Sequence, residues 1–235
     1  MARTNAVDRR ELLAANQLFE HVDEGDLDAL LATAKVSRYR ADQMVFQKDE
    51  PGLAMMAVLE GRIKISSMSM EGKEAVLNII EPGMVFGEIA LLDGRERTAD
   101  ATAMADSELL VIYREDFLPL VESRPGLAIR LLEVVCGRLR DTSKLVEDAF
   151  TLTTPTRLAR QLLRLAKSYG KQTDDGVLID FKMSQRELAA YVGLARENIN
   201  RQLRSWEKEE LISLAAGAVT IVDLETMRDI AEMDE

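Results

Sequence analysis

Short apolar runs alternate with turn residues from Met44 to Ile112, and this spacing limits the fold more than any other feature of the sequence. The runs read MVF, LAMMAVLEG, RIKISSMS, EAVLNIIEPG and TAMADSELLVIY. Turn signals lie at residues 50–52, 60–61, 71–72, 81–83 and 93–94. Many short strands at such intervals are typical of a β-roll or barrel rather than of a parallel sheet.

A cluster of polar residues lies between two of these strands, in residues 86–99 (FGEIALLDGRERTA). Gly87 has no Cβ, so its backbone can approach a ligand closely. Glu88 is an acceptor for hydroxyl groups, and Arg97 carries the planar cation that grips phosphate. Thr98 adds a hydroxyl group. Together they predict a pocket for a small phosphorylated sugar; the alternative is a surface loop with a Glu–Arg ion pair.

A long helix is predicted from residue 124 to about Phe150. Its apolar positions recur in a heptad pattern, which indicates packing against a partner helix. A parallel homodimer is the simplest partner, and packing on the chain's own β-roll is the alternative. Thr142 is a polar exception in the seam, and Cys136 is expected just off the seam as a buried apolar side chain. The seam positions are Ala128, Leu132, Val135, Leu139, Thr142, Val146 and Ala149.

The last third of the chain predicts a winged helix-turn-helix. Ser184 and Glu187 form a capping box that opens one short helix, and Gly193 suits the turn after it. A second helix is expected over residues 196–208. A hairpin wing is expected over residues 211–222 with Gly217 near its centre, after a helix at 156–169 and a polar loop at 170–180.

The second of these two helices has a polar face at its beginning. Arg196, Glu197, Asn200 and Arg201 would lie where such a helix enters the major groove. Arginine bonds guanine and glutamate accepts from cytosine, so the face is suited to reading bases. The alternative is that these charges only solvate the helix.

Composition narrows the function further. A chain of 235 residues predicts two domains, and its net charge of −11 conceals a net +3 between Thr154 and Ile212, from 11 Lys/Arg and 8 Asp/Glu. One cysteine and one histidine (His21, expected to have no role) make a metal, haem or iron–sulfur site improbable. No apolar run is long enough for a membrane helix or a signal peptide, so we expect a cytoplasmic protein without membrane contact.

Three motifs in register resemble the CRP/FNR superfamily of cyclic-nucleotide-responsive regulators, nearest to its cyclic-AMP-receptor type. They are GE…RTA at residues 87–99, RLRDTSKLVEDAF at the end of the long helix, and GLARENINRQL in the second helix. The resemblance covers nearly the whole chain. It implies an α+β protein with a double-stranded β-helix (jelly-roll) cyclic-nucleotide-binding domain at residues 1–123. A dimerisation helix would follow at 124–150, and a winged helix-turn-helix DNA-binding domain at 151–235.

The resemblance also implies the residues of each site. Glu88 would bind the ribose 2′-hydroxyl, Arg97 the cyclic phosphate, and Thr142 and Ser143 the base, with either cAMP or cGMP as effector and no metal. The candidate ligand-binding residues are Phe86, Gly87, Glu88, Ile89, Ala90, Arg97, Thr98, Ala99, Asn78, Thr142 and Ser143. The candidate DNA-binding residues are Arg196, Glu197, Asn200, Arg201, Ser184, Gln185 and Arg204.

Double-stranded DNA with a palindromic operator, a second copy of the chain and RNA polymerase are the implied partners, the last at the polar loop 170–180. Two positions depart from the family pattern. Asn78 replaces a serine near the base, and an amide can satisfy adenine or guanine. Ala195 replaces the Ser or Thr that caps the recognition helix.

Other functions are less consistent with these residues. A regulatory subunit that acts on a protein partner lacks a use for the helix-turn-helix. A family member that responds to cyclic di-GMP stays an alternative, although the presence of Glu88 and Arg97 favours a cyclic mononucleotide. A cupin-like metalloenzyme needs clustered histidines, and no nucleophile–base pair is readable, so the protein is not expected to be an enzyme.

Overall fold

The computed structural model describes residues 6–14, 19, 22–181, 184–215 and 218–233. His21 and Gly217 lie outside these residues. The described chain packs as two compact units. The first unit comprises the described residues of Met1–Met68 and Leu77–Arg140, and the second those of Ser69–Val76 and Asp141–Glu235. Each unit is described below by itself.

The N-terminal part of the chain is a β-roll flanked by helices. Its elements are α1 (Ala6–Ala14), α2 (Glu24–Thr33), β1 (Lys35–Tyr39), β2 (Met44–Phe46), β3 (Ala54–Glu60), β4 (Ile63–Met68), β5 (Glu74–Ile80), β6 (Val85–Phe86), α3 (Glu88–Asp93), β7 (Asp100–Ala103), β8 (Ser107–Tyr113), α4 (Arg114–Ser123) and α5 (Pro125–Thr151). The strands form two four-stranded sheets, in the orders β1-β8-β3-β6 and β2-β7-β4-β5. The predicted β-roll is therefore confirmed.

Strands β3 and β8 are buried on both faces, which explains their continuous apolar sequences. Because neighbouring side chains of a strand point to opposite faces, Met55 and Ala57 pack with the flanking helices while Met56 and Val58 fill the inside of the roll. The two strands pair antiparallel, with Met56 opposite Val111. Burial on both faces holds β3 in place, and the backbone of this strand lies next to the predicted pocket.

The C-terminal part is a winged helix-turn-helix, as predicted. Its elements are α6 (Thr154–Tyr169), β9 (Gly170–Thr173), β10 (Gly176–Ile179), α7 (Gln185–Val192), α8 (Arg196–Lys208), β11 (Ile212–Ala215), β12 (Ala218–Ile221) and α9 (Leu224–Glu232). The capping box of Ser184 and Glu187 is present, and Gly193 adopts φ 70° at the end of α7. The predicted start and end of the second helix agree with α8. Ile199, Leu203 and Trp206 of α8 are buried and contribute to the core of this unit.

One interval of the C-terminal part differs from the prediction. Residues 170–180 were expected to be a polar loop, but they form the hairpin β9–β10. The reason is that Val177, Leu178 and Ile179 pair with β12, so the hairpin extends the wing into a four-stranded sheet. Gly176 adopts φ 127° in the turn, where a Cβ would lie 2.2 Å from the backbone oxygen of Ile221.

The long helix α5 presents a row of exposed apolar side chains. They recur at intervals of three, four and seven residues: Ile129, Leu132, Cys136, Leu139, Val146 and Phe150. The expectation that Cys136 is buried is wrong, because this thiol is exposed. Ala128 and Val135, two of the predicted seam positions, are half-buried instead. The exposed stripe thus passes through Cys136 rather than Val135.

Candidate functional site

Gly87 begins the site by turning the chain from β6 into the short helix α3. It adopts φ 77° in the left-handed region, which glycine occupies without strain. A Cβ at this position would lie 2.7 Å from Nη1 of Arg97, so a larger residue would displace that side chain. The absence of a Cβ therefore leaves room for Arg97, while the approach of the Gly87 backbone to a ligand stays a prediction.

Arg97 lies inside the first unit and is only 5% exposed. Its Nη1 donates to the carbonyl oxygen of Gly87 at 2.8 Å, and its Nη2 donates to that of Ala54 at 2.7 Å. The guanidinium also lies over the ring of Phe46, 4.2 Å from its centroid. Burial lowers the pKa of Arg97, and the charges of Glu88 and Glu50 partly oppose that effect. Nε is buried and has no hydrogen-bond partner among the described residues.

Glu88 is the first residue of α3, and it is 1% exposed. Its carboxylate forms an ion pair with Arg138 of α5, whose guanidinium also donates to the carbonyl oxygen of Val85. Neither carboxylate oxygen accepts a hydrogen bond with good geometry within the described part of the chain. A buried acceptor in this state is costly unless another donor reaches it.

These side chains enclose one small cavity of about 60 Å³. It brings together eight of the predicted ligand residues with three others; the lining residues are Phe46, Ile65, Phe86, Gly87, Glu88, Ile89, Ala90, Arg97, Thr98, Ala99 and Arg138. The lining carries two arginines and one glutamate, a net charge of +1. Such a lining suits a small ligand that has hydroxyl groups and one negative charge.

Two further contacts fix the walls of this cavity. Gly52 lies where a Cβ would approach that of Ala90 to 2.2 Å, so the loop before β3 can press against α3 only with glycine there. At the next residue of α3, Nε of Arg114 donates to the carbonyl oxygen of Leu91 at 2.7 Å. The short helix that presents Glu88 is thereby held by contacts with two other parts of the chain.

Sequence reasoning missed Arg138, Phe46 and Gly52. Arg138 had a signal, because it lies one helical turn before Thr142 and so on the same face of α5. Phe46 and Gly52 belong to a different strand and loop, and no local pattern connects them with the motif at residues 86–99. Their roles depend on the tertiary fold.

The remaining candidate ligand residues lie elsewhere. Asn78 does not line the cavity, and its Oδ1 accepts a hydrogen bond from the backbone N–H of Ile79 at 2.8 Å. Thr142 and Ser143 are exposed on α5 in the second unit. Their contact with a base stays a prediction.

The helix-turn-helix presents a mostly exposed polar face. All but one of the predicted DNA-binding residues are exposed: Ser184, Gln185, Arg196, Glu197, Arg201 and Arg204. Asn200 is half-buried, and its Oδ1 is buried without a hydrogen-bond partner among the described residues. Asn198 accepts a hydrogen bond from Nη2 of Arg201 at 3.0 Å. Asn198 therefore orients the predicted DNA-binding residue Arg201, although the sequence analysis did not select Asn198 itself.

Helix α8 begins without a side-chain cap. Ala195 occupies the cap position with φ −67° and ψ 140°, and it accepts only through its backbone. The neighbouring helix α7 is capped by its own box. Of the two helices, α8 therefore has the open N-terminus, where backbone N–H groups can meet a phosphate.

Within residues 6–14, 19, 22–181, 184–215 and 218–233, no group of three His, Cys, Asp or Glu side chains is arranged to hold a metal ion. No helix in the same ranges is long and apolar enough to cross a membrane.

Known families match both parts of the chain. Residues 36–124 match the cyclic nucleotide-binding domain, and residues 156–230 match the Crp-like helix-turn-helix domain. Over 217 residues the chain is 30% identical to the CRP-like cAMP-activated global transcriptional regulator of Mycobacterium tuberculosis, covering 92% of this chain and 97% of that protein. It is 29% identical over 219 residues to the cyclic AMP receptor protein of Thermus thermophilus, covering 93% and 98%.

Solved structures agree with this comparison. The catabolite activator protein of Thermus thermophilus is 30% identical, with a TM-score of 0.53 over 92% of this chain and 98% of its own. FixK2 from Bradyrhizobium japonicum has a TM-score of 0.74 and 20% identity, covering 86% of this chain and 98% of that one. The second likeness concerns the fold alone.

Proposed function

This chain belongs to the CRP family of transcription regulators, and we propose that it acts as a homodimer whose binding to palindromic DNA is switched on by a cyclic purine mononucleotide. It combines a cyclic nucleotide-binding domain with a Crp-like DNA-binding domain, and it is a regulator rather than an enzyme. Two relatives are named for cAMP, so cAMP is the first effector to test and cGMP the second.

The burial of Glu88 and Arg97 in one cavity carries this proposal. Each has a polar atom that no described residue satisfies, and the two groups differ in sign. A carboxylate accepts from the hydroxyls of a ribose, while a guanidinium donates to the oxygens of a phosphate. These are the two polar parts of a cyclic mononucleotide, so the donor set fits the ligand.

Charge supports a mononucleotide in particular. A cyclic monophosphate carries one negative charge, which balances the net +1 of Arg97, Arg138 and Glu88. Arg97 uses two of its five N–H donors on backbone carbonyls, so donors remain for a phosphate. Burial disfavours its charged form, and a neighbouring anion would offset that cost.

The base is expected to contact α5. Thr142 and Ser143 are exposed there, and both hydroxyls can donate or accept. Asn78 uses its oxygen on the backbone of Ile79, which leaves its amide N–H groups for a base. An amide donor suits O6 of guanine or N7 of either purine, so cGMP belongs in the same titration.

The output is expected at successive major grooves. Two copies joined along α5 would present two α8 helices to half-sites about 34 Å apart, with Arg196, Glu197 and Arg201 reading bases. Contact with RNA polymerase would involve the β9–β10 hairpin, whose first strand is exposed along its whole length. Because linkage is reciprocal, DNA and nucleotide must raise each other's affinity.

Calorimetry on the full chain with cAMP, cGMP and cyclic di-GMP tests the effector. Repeated selection from a random DNA library, with the effector present, then supplies a site for fluorescence anisotropy. We expect a mononucleotide to bind and to strengthen DNA binding several-fold. Equal DNA affinity with and without saturating nucleotide would refute the switch. Tight binding of cyclic di-GMP alone, or nucleotide binding without any selected DNA, would favour the alternative effector or a protein partner instead.

A further inference from the structure

Asp148, near the end of the long helix, forms an ion pair with an arginine of α6 in the second unit. Asp148 lies in the last turns of α5 and is 9% exposed. Its Oδ1 accepts a hydrogen bond from Nη1 of Arg160 on α6 at 3.1 Å. A charge that is buried to this extent needs its partner, since removing one member of a buried pair leaves the other uncompensated.

Two arginines of α6, Arg157 and Arg160, donate hydrogen bonds to other helices of the second unit. Arg160 donates through Nε to the carbonyl oxygen of Ala231 in the last turn of α9, at 2.7 Å. Arg157 donates through Nη2 to the carbonyl oxygens of Val192 and Gly193, at 2.9 and 3.1 Å. Each arginine therefore satisfies carbonyls at the end of another helix, which backbone bonds leave open.

The contact of Arg157 falls on the turn of the helix-turn-helix. Gly193 adopts φ 70° in this turn, and a Cβ there would lie 2.9 Å from Nη2 of Arg157. Burial lowers the pKa of Arg157, and the charge of Asp148 opposes this change. The same carboxylate thus supports both arginines, by a hydrogen bond to one and by its field at the other.

We propose that Asp148 is a positioning residue for DNA recognition: it orients Arg160 through a hydrogen bond and balances the charge of the neighbouring Arg157, and through these two arginines it makes the last turns of α5 and the helix-turn-helix turn one rigid body. The inference rests on the proposed function for its consequence. Thr142 and Ser143 precede Asp148 by six and five residues on the same helix, about 7.5–9 Å along its axis. A nucleotide that orders these turns would therefore affect the helix-turn-helix turn, which directly precedes the recognition helix α8.

The choice of charged groups supports this role. A well-packed apolar contact of the same volume is commonly as stable as a buried ion pair, so stability alone does not require Asp148. Charge-assisted hydrogen bonds add direction, because a guanidinium holds its acceptors in a fixed plane. Carbonyls of three chain positions, Val192, Gly193 and Ala231, are held in this way from α6.

Hydrogen exchange on the ligand-free full chain tests the positioning role without any assumption about the effector. In Asp148→Asn we expect the amides around residues 192–195 to exchange several-fold faster, because Arg157, which holds this turn, would lose its partly buried counter-charge. Glu147→Gln is the matched control, because Glu147 is adjacent and exposed. Unchanged protection of the turn in Asp148→Asn would overturn the proposal.

A mutant cycle separates positioning from general loosening. Arg157→Met alone should speed exchange of the same amides, and adding Asp148→Asn to this variant should not increase their exchange rate further. Asp148→Glu, which keeps the charge, should restore most of the protection. Fully additive effects, or no restoration by glutamate, would mean that Asp148 does not act through Arg157.

Transmission is then measured as the factor by which cAMP strengthens binding to the selected DNA site. Asp148→Asn should bind cAMP as the wild type does, while this factor falls toward one; Glu147→Gln should keep it. An unchanged factor in Asp148→Asn would refute transmission through this residue. If the wild type itself shows no such factor, the proposed function fails, and the exchange measurements still decide the positioning role.

Discussion

Arg138 of the long helix neutralises Glu88, the buried carboxylate that opens helix α3. The two side chains form an ion pair at the edge of the cavity, and Arg138 also donates to the carbonyl oxygen of Val85. Glu88 is 1% exposed, whereas the Arg138 side chain is 27% exposed. The pocket is consequently completed by a residue of α5, some forty positions beyond the motif that predicted it.

Replacing Arg138 by methionine should destabilise the first unit. Glu88 would remain buried without a cation, a change that costs about 3–5 kcal/mol for a fully buried pair and less here because Arg138 is partly exposed. Urea denaturation measures the loss. The double variant with Glu88→Gln should recover much of it, and Arg140→Met, at an exposed position of the same helix, should change little. A double variant as unstable as Arg138→Met would show that the pair is not the cause.

Arg97→Ala should abolish most nucleotide binding. The side chain supplies the cation expected to meet the phosphate, so its loss should weaken affinity by about tenfold to a hundredfold, as for a hydrogen bond to a charged group. Calorimetry with cAMP and cGMP measures the change. Arg95→Ala is the control, since Arg95 is exposed in the same loop. Equal losses in both variants would mean that net charge, rather than the cavity, attracts the nucleotide.

Local chemistry allowed a large part of this fold to be predicted. The capping box at Ser184, the left-handed turn at Gly193 and the extent of α8 depend on neighbours within four residues, and all three are confirmed. Short-range patterns sufficed wherever the determining contacts were themselves short-range.

Long-range contacts account for what the sequence did not predict. The hairpin at residues 170–179 forms because Val177 finds a partner strand more than forty residues later. Cys136 is expected to be buried because cysteines commonly are, but α5 packs on the core through its opposite face, where Leu127 and Leu131 lie. The thiol is therefore exposed. Asn198 and Asn200 are two residues apart, and only the packing of α8 determines that Oδ1 of Asn200 is buried while Oδ1 of Asn198 accepts from Arg201.

Arg196→Ala should relax base preference at one position of the half-site. A bidentate contact to guanine is worth about 1–3 kcal/mol of discrimination, so selected sequences should lose that base while other positions persist. Arg204→Ala should instead weaken binding to all sequences and reduce the slope of log affinity against log salt by about one. Arg228→Ala, at an exposed position of α9, is the control. Uniform weakening by Arg196→Ala would assign it to phosphate.

Acid should remove the contribution of Asp223 to the stability of α9. Its carboxylate accepts hydrogen bonds from the side chain and backbone of Thr226, at 2.7 and 2.9 Å, and these bonds lower the pKa of Asp223. A lowered folded pKa gives stability that is present above the unfolded value of about 3.9 and disappears as pH falls through the folded pKa. The difference in melting temperature between wild type and Asp223→Ala should therefore shrink below about pH 4. A constant difference would contradict this assignment; Asp229→Ala, exposed on the same helix, is the control.

The exposed stripe of α5 predicts the arrangement of the dimer, and the single cysteine tests it. If two α5 helices pair in parallel and in register along Leu132, Cys136 and Leu139, each Cys136 faces its own copy. Opposed core positions of such a pair are close enough for a disulfide, whose Cα atoms are about 4.4–6.8 Å apart. Mild oxidation should then give a covalent dimer on a non-reducing gel.

Relocated cysteines distinguish this arrangement from others. In a Cys136→Ser background, Leu139→Cys should cross-link as well, because every stripe position meets its own copy in a parallel pair. An antiparallel pair centred on residue 136 would cross-link through Cys136 but not through Leu139→Cys. Asp141→Cys in the same background, exposed and away from the stripe, should remain monomeric on the gel. Cross-linking of Asp141→Cys as fast as that of Cys136 would show random collision, and the stripe would then not be the dimer interface.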